Sequence, residues 1–188
     1  MIVDNVTKSI AEAYKVMNVQ SKYGIIYCDM DGVVADMLAG AHKVLGHPFE
    51  QKDPNLDVDT SKRQTREKLA KTRNFWENLP VMPGGQQLWK FINRYDAQIL
   101  TAYPDWDPSA KRGKRIWITK HFGQIPDSRF HAVKRHEKRD YAMSDNGKPN
   151  ILIDDYAKNI KEFEAAGGIG VHHIDAETTI SKLKKLGF

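Results

Sequence analysis

Five short, continuous apolar runs, separated by longer segments with helical spacing, constrain the fold of this chain most. The runs are GIIYC (24–28), AQILTA (97–102), RFHAV (129–133), NILID (150–154) and GIGVHH (168–173). Runs that are continuous rather than alternating are typical of strands buried on both faces of a parallel sheet. We therefore predict an α/β fold, with a Rossmann-like parallel sheet and helices on both of its faces.

Several of the intervening segments have the periodicity of amphipathic helices. Residues 86–95 and 157–166 each place apolar side chains along one side, and Gly167 ends the second segment. Near the N-terminus the same spacing predicts an additional helix over residues 3–19 that packs on the core. Its core-facing residues would be Val3, Val6, Ile10, Ala13, Tyr14 and Met17.

Residues 36–83 interrupt the alternation of strands and helices. They hold the loop-like stretch HPFEQKDPNLDVD, a charged helix candidate over 61–72, and an apolar cluster that begins at Phe75. We predict a small, mainly helical cap inserted after the first strand. The predicted division is an N-terminal helical extension (1–22), a core domain (23–35 and 84–188) and the cap (36–83).

Length and composition narrow the class of protein. With 188 residues the chain can bury one proper core, and no apolar run reaches the ~18 residues of a membrane span. The N-terminus lacks the pattern of a signal peptide, and the single cysteine, Cys28, excludes an internal disulfide. We expect a cytoplasmic protein, in the host cytoplasm if a phage encodes it. The oligomeric state stays open, with a dimer built on the N-terminal helix as one option.

Positive charge is concentrated in one part of the chain, whose net charge is +5 overall. Residues 111–139 contain ten Lys or Arg against two acids, a local balance of +8. Such a segment could attract a phosphate-bearing small molecule or a nucleic-acid backbone, or it could be a solvated helix face.

Polar residues follow three of the predicted strands. Asp29 and Asp31 come after the first run, Thr101 lies near the end of the second, and Asp154 and Asp155 end the fourth. Ligands of parallel sheets bind at the carboxyl ends of the strands, so four carboxylates would share a small volume. Carboxylates this close oppose folding unless a positive charge lies among them. Mg²⁺, with carboxylate and phosphate oxygens as ligands, is the natural cation.

The spacing of the first two carboxylates suits phosphoryl transfer. One aspartate could attack phosphorus while the other gives a proton to the leaving oxygen and later takes one from water. Gly32 would permit a sharp turn that points backbone N–H groups at the phosphate. The Thr101 hydroxyl and a lysine could stabilise the charge on the transferred group.

Four motifs in this order resemble those of the haloacid dehalogenase superfamily of phosphohydrolases: DMDGVVAD, ILTA, the basic segment and ILIDDY. The resemblance implies that Asp29 is the nucleophile, Asp31 the general acid/base and Thr101 a phosphate ligand. It also implies Mg²⁺ ligation by Asp29, the backbone carbonyl of Asp31 and Asp154, with Asp155 supporting the site.

Further stretches outside those motifs resemble the 5'(3')-deoxyribonucleotidases and their bacterial and phage relatives. They are NFWENLPVMPGG, KRIWITKHFG and AGGIGVHH. This resemblance implies that Met37, Phe75 and Trp76 form an apolar slot in which the base stacks. The alternative is that Phe75 and Trp76 only anchor the cap.

One position departs from that family's pattern, and the lysine of the third motif is ambiguous. Ala102 stands where the family usually has a serine after the motif threonine, so one hydroxyl near the phosphate or substrate is missing. The third motif, VKRHEKRDYA, offers several cations. We favour Lys138 as the phosphate-binding lysine and keep Lys134 as the alternative.

Together these observations predict a Mg²⁺-dependent phosphomonoesterase. Its substrate would be a nucleoside monophosphate, preferably a deoxyribonucleotide, hydrolysed through phospho-Asp29. The basic segment motivates a rival, a phosphatase of nucleic-acid 3'-phosphate ends, so nucleic acid is the less favoured partner. A binding or regulatory protein that keeps the fold without turnover is the second rival. No membrane partner is expected.

Overall fold

The computed structural model describes residues 2–188, although the side chains of residues 2–6, 15, 20 and 21 are outside the described part. The predicted parallel sheet is confirmed. Its strands are β1 (Ile26–Cys28), β2 (Gln98–Ala102), β3 (Phe130–Val133), β4 (Ile151–Asp154) and β5 (Ile169–His172). They run parallel in the order β3-β2-β1-β4-β5.

Helices fill the connections between these strands. They are α1 (Ile2–Lys22), α2 (Met37–Leu45), α3 (Val58–Lys71), α4 (Gly85–Ile92), α5 (Ala110–Phe122), α6 (Ala157–Ala165) and α7 (Ala176–Leu186). Short 3₁₀ helices occur at Trp76–Asn78, Asn93–Tyr95, Asp127–Arg129 and Arg135–Tyr141. The helices predicted at 61–72, 86–95 and 157–166 are confirmed, whereas α2, α5 and α7 were not predicted. Over the described residues, no helix combines the length and apolarity needed to cross a bilayer.

Both faces of the sheet are buried, which explains the continuous apolar runs. Cys28 of β1 belongs to a large cluster with residues of α4, α5 and α7, such as Trp117 and Leu183. Its neighbour Tyr27 points to the opposite face and packs in a second cluster with Phe163 of α6. Alternate strand residues therefore face helices on opposite sides, as the pleat of a strand requires.

The topology makes the end of β1 the natural ligand site. β1 is the central strand and pairs with β2 on one side and β4 on the other. The chain proceeds outward from β1 to β3, then crosses back to place β4 and β5 on the other side. Such a switch point opens a crevice at the carboxyl ends of the strands, which is where ligands bind in doubly wound sheets.

The N-terminal helix forms, but the predicted packing of its middle turns is wrong. Ile10, Tyr14 and Met17 are 56%, 74% and 69% exposed, and Ala13 is exposed as well. The predicted contacts of Val3 and Val6 lie outside the described side chains. The helix docks instead through its C-terminal end, where Val19 is buried and Val16 packs on the core. The apolar spacing predicted the helix correctly, but it did not predict which side chains are buried.

The segment 36–83 packs directly on the sheet domain. Leu69 and Leu79 belong to the same apolar cluster as the strands. The Trp117 indole donates to the Leu79 carbonyl at 2.8 Å. Asp36 caps α2 by accepting from the Ala39 N–H at 2.9 Å, a structural role. We propose that this segment is a cap continuous with the core, and the boundaries 1–22, 36–83 and 84–188 stay a prediction.

We expect Asn150→Ala to destabilise the fold. Asn150 is buried, its Oδ1 accepts from the Ile25 N–H at 2.7 Å, and its Nδ2 donates to the Tyr141 carbonyl at 2.8 Å. Removing the amide leaves two backbone groups without partners, which should lower the free energy of unfolding by about 2–4 kcal/mol. Urea unfolding measures the change. Asn55→Ala, at an exposed position, is the control, and equal stabilities for the two variants would contradict the account.

Candidate active site

Asp29 directly follows β1 and is held from two sides. Its backbone N–H donates to the Ile153 carbonyl at 2.8 Å, which extends the pairing with β4. Its Oδ1 accepts from the Met30 N–H at 2.7 Å, and its Oδ2 lies 2.8 Å from Lys138 Nζ. The carboxylate is therefore buried with a fixed orientation at the centre of the sheet edge.

Asp154, the last residue of β4, is completely buried beside it. Its Oδ2 accepts from Lys138 Nζ at 2.7 Å and from Asn159 Nδ2 at 2.9 Å. Its Oδ1 accepts from the Tyr156 N–H at 2.8 Å. Burial, reinforced by the Asp29 charge, raises the pKa of Asp154 to about 6.

Asp155 completes a group of three carboxylates. Although the residue as a whole is exposed, its carboxylate faces the other two. Burial, then the charges of Asp29 and Asp154, raise its pKa to about 6. One oxygen from each of these aspartates lies within 4.8 Å of the others. An all-oxygen donor set with excess negative charge fits a hard divalent cation, so these three residues could hold one.

Lys138 lies between two of these carboxylates. It comes from the 3₁₀ helix Arg135–Tyr141 and is buried. Burial opposes its charge, but Asp29 and Asp154 outweigh that effect and raise the pKa of Lys138. The alternative, Lys134, points elsewhere: it forms an ion pair with Asp105 and lies 4.2 Å from the ring centroid of Tyr103. The structure therefore places the favoured lysine, and not the alternative, among the carboxylates.

Asp31 has a separate cationic partner that the sequence analysis missed. Lys114, fully buried in α5, places Nζ 2.5 Å from Asp31 Oδ2. The same Nζ donates to Thr101 Oγ1 at 3.0 Å and to the Ala102 carbonyl at 2.7 Å. Burial raises the pKa of Asp31, against the influence of Lys114. The other oxygen, Oδ1, is buried with no hydrogen-bond partner among the described residues.

A signal for Lys114 was present in the sequence. The buried residues of α5 include Ala110, Gly113, Lys114, Trp117 and Ile118, which share one side of a helix. A lysine on the apolar side of an amphipathic helix is rarely buried without a partner. The net charge of the segment 111–139 does not distinguish this buried lysine from the exposed cations around it.

Gly32 is required by the close approach of two loops. Its φ is +74°, and a Cβ placed there would lie 2.1 Å from Asp155 Oδ2. A side chain at this position would clash with the Asp155 carboxylate. The predicted turn after Asp31 therefore also makes room for the third carboxylate.

Thr101 and Ala102 lie at the end of β2, as predicted. Thr101 is buried, with its hydroxyl in contact with Lys114. Ala102 is half-buried and contributes its carbonyl to the same lysine. The methyl group of Ala102 offers no hydrogen bond, so the backbone alone is polar at this position.

The three residues predicted to form a base slot are mostly covered. Phe75 and Trp76 are 5% and 3% exposed, and Met37 is half-buried against the core. The Trp76 indole donates to Asp107 Oδ2 at 2.6 Å, and its ring centroid lies 5.0 Å from Lys114 Nζ. These contacts tie the segment 36–83 to α5 and leave little of either ring for a base to stack on.

Most of the basic segment 111–139 is engaged within the fold. Lys114 and Lys138 belong to the site, and Arg135 pairs with Glu162 at 2.7 Å. Arg115 binds the Ile125 carbonyl and Asp127, and Arg129 binds Asn93 and the Ala97 carbonyl. The local excess of positive charge therefore does not form a free cationic face.

The chain is similar to known proteins in sequence and in structure. A family model described as "5' nucleotidase, deoxy (Pyrimidine), cytosolic type C protein" matches residues 23–175. Proteins from two Staphylococcus epidermidis strains, each named "Putative 5'(3')-deoxyribonucleotidase", are 28% identical over 151 residues, which are 74% of this chain and 78% of each relative. A solved hydrolase from Streptococcus pneumoniae TIGR4 is similar with a TM-score of 0.48 and 15% identity, over 87% of this chain and 99% of that one.

We expect the two raised carboxyl pKa values to make the metal-free protein less stable as the pH rises. Between the unfolded value of 3.8 and about 6, the folded state binds more protons at Asp154 and Asp155 than the unfolded state does. The contribution of these two groups to the free energy of unfolding must then fall with rising pH across that window. Asp154→Asn should remove part of this decrease. Urea unfolding in EDTA gives the free energy of unfolding of the wild type and of the variant at pH 4.5 and at pH 7. The difference between the two proteins should change between these pH values.

Asp127→Asn, a change at an exposed carboxylate, is the matched control and should leave the pH dependence as in the wild type. The contributions of groups that titrate in both proteins cancel when the two free energies of unfolding are subtracted. A difference that does not change between the two pH values would contradict the assignment of Asp154 as a buried, raised carboxyl group.

Proposed function

Because the chain belongs to the 5' nucleotidase, deoxy (Pyrimidine), cytosolic type C family, we propose that it hydrolyses deoxyribonucleoside monophosphates to nucleoside and inorganic phosphate. It is a hydrolase with a parallel α/β fold. One observation carries the proposal: Asp29 and Asp154 share the buried cation Lys138 at the switch point of the sheet. The names of the Staphylococcus epidermidis relatives support the substrate class.

In the proposed first step, Asp29 attacks phosphorus. A bond forms between a carboxylate oxygen of Asp29 and phosphorus, and the bond from phosphorus to the nucleoside oxygen breaks. Asp31 gives its proton to the departing oxygen. The raised pKa of Asp31 supports this role, because an acid must hold its proton until the bond breaks. The products of this step are the free nucleoside and phospho-Asp29.

In the second step, water attacks the phosphorus of phospho-Asp29. Asp31, now a carboxylate, takes a proton from the water, and the Asp29 carboxylate leaves as inorganic phosphate forms. Both aspartates are thereby restored. The buried Lys138 and the hydroxyl of Thr101 stabilise the phosphoryl oxygens in both steps.

Lys114 positions the acid. Its hydrogen bonds to Thr101 and the Ala102 carbonyl fix Nζ, and this fixed cation holds Asp31 Oδ2. The backbone of Ala102 takes part in this arrangement, so the missing hydroxyl at this position does not disrupt it. Asp31 Oδ1 stays free of hydrogen bonds and can face the leaving oxygen.

Magnesium is the cofactor we propose. Asp29, Asp154 and Asp155 would hold it, with the backbone carbonyl of Asp31 as a further oxygen ligand. The ion would supply neutralisation of the phosphate charge. The hard oxygen donors and the excess negative charge of the three carboxylates support this choice.

The engaged basic segment favours a small substrate over a nucleic-acid end. Most of its cations pair with groups of the protein itself, which leaves few of them to bind a phosphate backbone. A role in binding without turnover would not need Asp31, with its raised pKa, two residues from Asp29. Location in the cytoplasm of the cell or of a phage host stays part of the proposal.

We predict that Asp29→Asn folds normally but releases no phosphate. Phosphate release is measured with Mg²⁺ and with EDTA on deoxy- and ribonucleoside 5' and 3' monophosphates and on a generic aryl phosphate. The wild type should be active only with Mg²⁺ and should prefer the deoxynucleotides. Wild-type rates for the variant would disprove the nucleophile assignment, and EDTA-resistant turnover would disprove the metal proposal.

We predict that Lys114→Met lowers kcat by at least about 100-fold, because a mispositioned acid/base loses most of its catalytic contribution. Lys111→Met, one turn earlier on α5 and exposed, is the control and should keep kcat within about threefold. Circular dichroism and urea unfolding show whether each variant is folded. A folded Lys114→Met protein with wild-type kcat would contradict the positioning role.

A further inference from the structure

A groove runs between α3 and Trp106, a residue of the loop that joins β2 to α5. Its volume is about 580 Å³. The residues that line it are Asp59, Lys62, Arg63, Arg66, Glu67, Ala70, Lys71 and Trp106. Four of them are cations and two are acids, so the groove carries a net positive charge.

Three of the cations have no ion-pair or hydrogen-bond partner among the described residues. Within the described part of the chain, Lys62, Arg63 and Arg66 make no hydrogen bond and no ion pair, and all three are exposed. Arg63 and Arg66 are three residues apart on α3, so they lie on the same side of the helix. They differ in this from Arg115, Arg129 and Arg135 of the segment 111–139, which bind carboxylate, carbonyl or amide oxygens.

The groove is connected to the catalytic residues through consecutive contacts. The ring centroids of Trp106 and Trp76 are 6.0 Å apart. Lys114 Nζ is 5.0 Å from the Trp76 ring and 2.5 Å from Asp31 Oδ2. Trp106 is half-buried, so it has one covered part towards Trp76 and an open part towards the groove. The groove therefore adjoins the catalytic residues across Trp76 and Trp106.

We propose that a substrate held at Asp29 extends past Trp106, so that this groove is a second phosphate subsite. The proposal rests on the proposed nucleotidase function of the catalytic site. The preferred substrates would carry a second phosphate group across the sugar from the one that is hydrolysed. Unpaired guanidinium groups match phosphate oxygens with two parallel hydrogen bonds. The open part of Trp106 offers an apolar surface to the sugar or base between the two phosphates.

Two kinds of substrate contain this chemistry. A deoxynucleoside 3',5'-bisphosphate carries two terminal phosphates, whereas a 5'-phosphorylated dinucleotide carries a terminal phosphate and a diester. The subsite needs only the second phosphate, so kcat/KM should be higher for both substrates than for the matching monophosphate. The ratio of kcat/KM for the two substrates shows whether the groove favours a terminal phosphate or a phosphodiester.

The test compares kcat/KM for these substrates in three proteins at low salt. They are the wild type, the double variant Arg63→Gln/Arg66→Gln, and the control Lys184→Gln/Lys185→Gln. The control removes two exposed cations from α7, away from the groove. Glutamine keeps a similar helix propensity in both variants. We expect the wild type to prefer a second phosphate about tenfold, and the Arg63/Arg66 variant to lose most of this preference.

The same comparison of binding, by calorimetry on the Asp29→Asn background, separates the subsite from turnover. There the bisphosphate should bind about tenfold more tightly than the monophosphate, and the two arginine changes should abolish the difference. Equal binding of both ligands, or a preference that survives Arg63→Gln/Arg66→Gln, would overturn the subsite. Loss of preference in the control as well would overturn its location. Failure of the wild type to hydrolyse any monophosphate would instead count against the proposed function, since the binding result stands without turnover.

Discussion

The rest of the structure depends on the placement of four carboxylates around two buried lysines. Lys138 joins Asp29 to Asp154, and Lys114 holds Asp31. Removing charged groups from water costs several kcal/mol each, so this cluster does not stabilise the fold as an apolar core would. Burial first, and the charge of Asp29 second, raise the pKa values of Asp154 and Asp155, and the nearby Lys138 does not offset these effects. A group of three carboxylates of this kind favours a bound cation.

The sheet supplies the geometry that the cluster requires. β1, β2 and β4 are neighbouring parallel strands buried on both faces, so their ends cannot shift independently. The lysines come from outside the sheet, from α5 and from the 3₁₀ helix Arg135–Tyr141. Trp76 binds the segment 36–83 to the loop before α5 through Asp107, and its ring lies against Lys114 of α5 itself. The position of that segment and the position of the acid are thus coupled through one helix.

Strand positions and strand-end residues could be predicted because both depend on local patterns. A continuous apolar run that ends in Asp29 or Asp154 predicts a buried strand and a polar edge without knowledge of the partner strand. Burial of a helix face was harder, because it depends on where the whole helix lies. The spacing that predicted α1 also predicted core contacts for Tyr14, which is exposed. The role of Lys114 required knowing that α5 turns this residue towards Thr101, which charge counting does not reveal.

The central claim is that Asp29 becomes phosphorylated, and a chemical quench tests it most directly. The wild-type protein is mixed with a 32P-labelled deoxynucleoside monophosphate in Mg²⁺, stopped in acid during turnover, and digested for mass spectrometry. The account predicts a hydroxylamine-sensitive phosphoryl group on the peptide that contains Asp29. Label on a different residue, or no label on the protein while phosphate is being released, would contradict it.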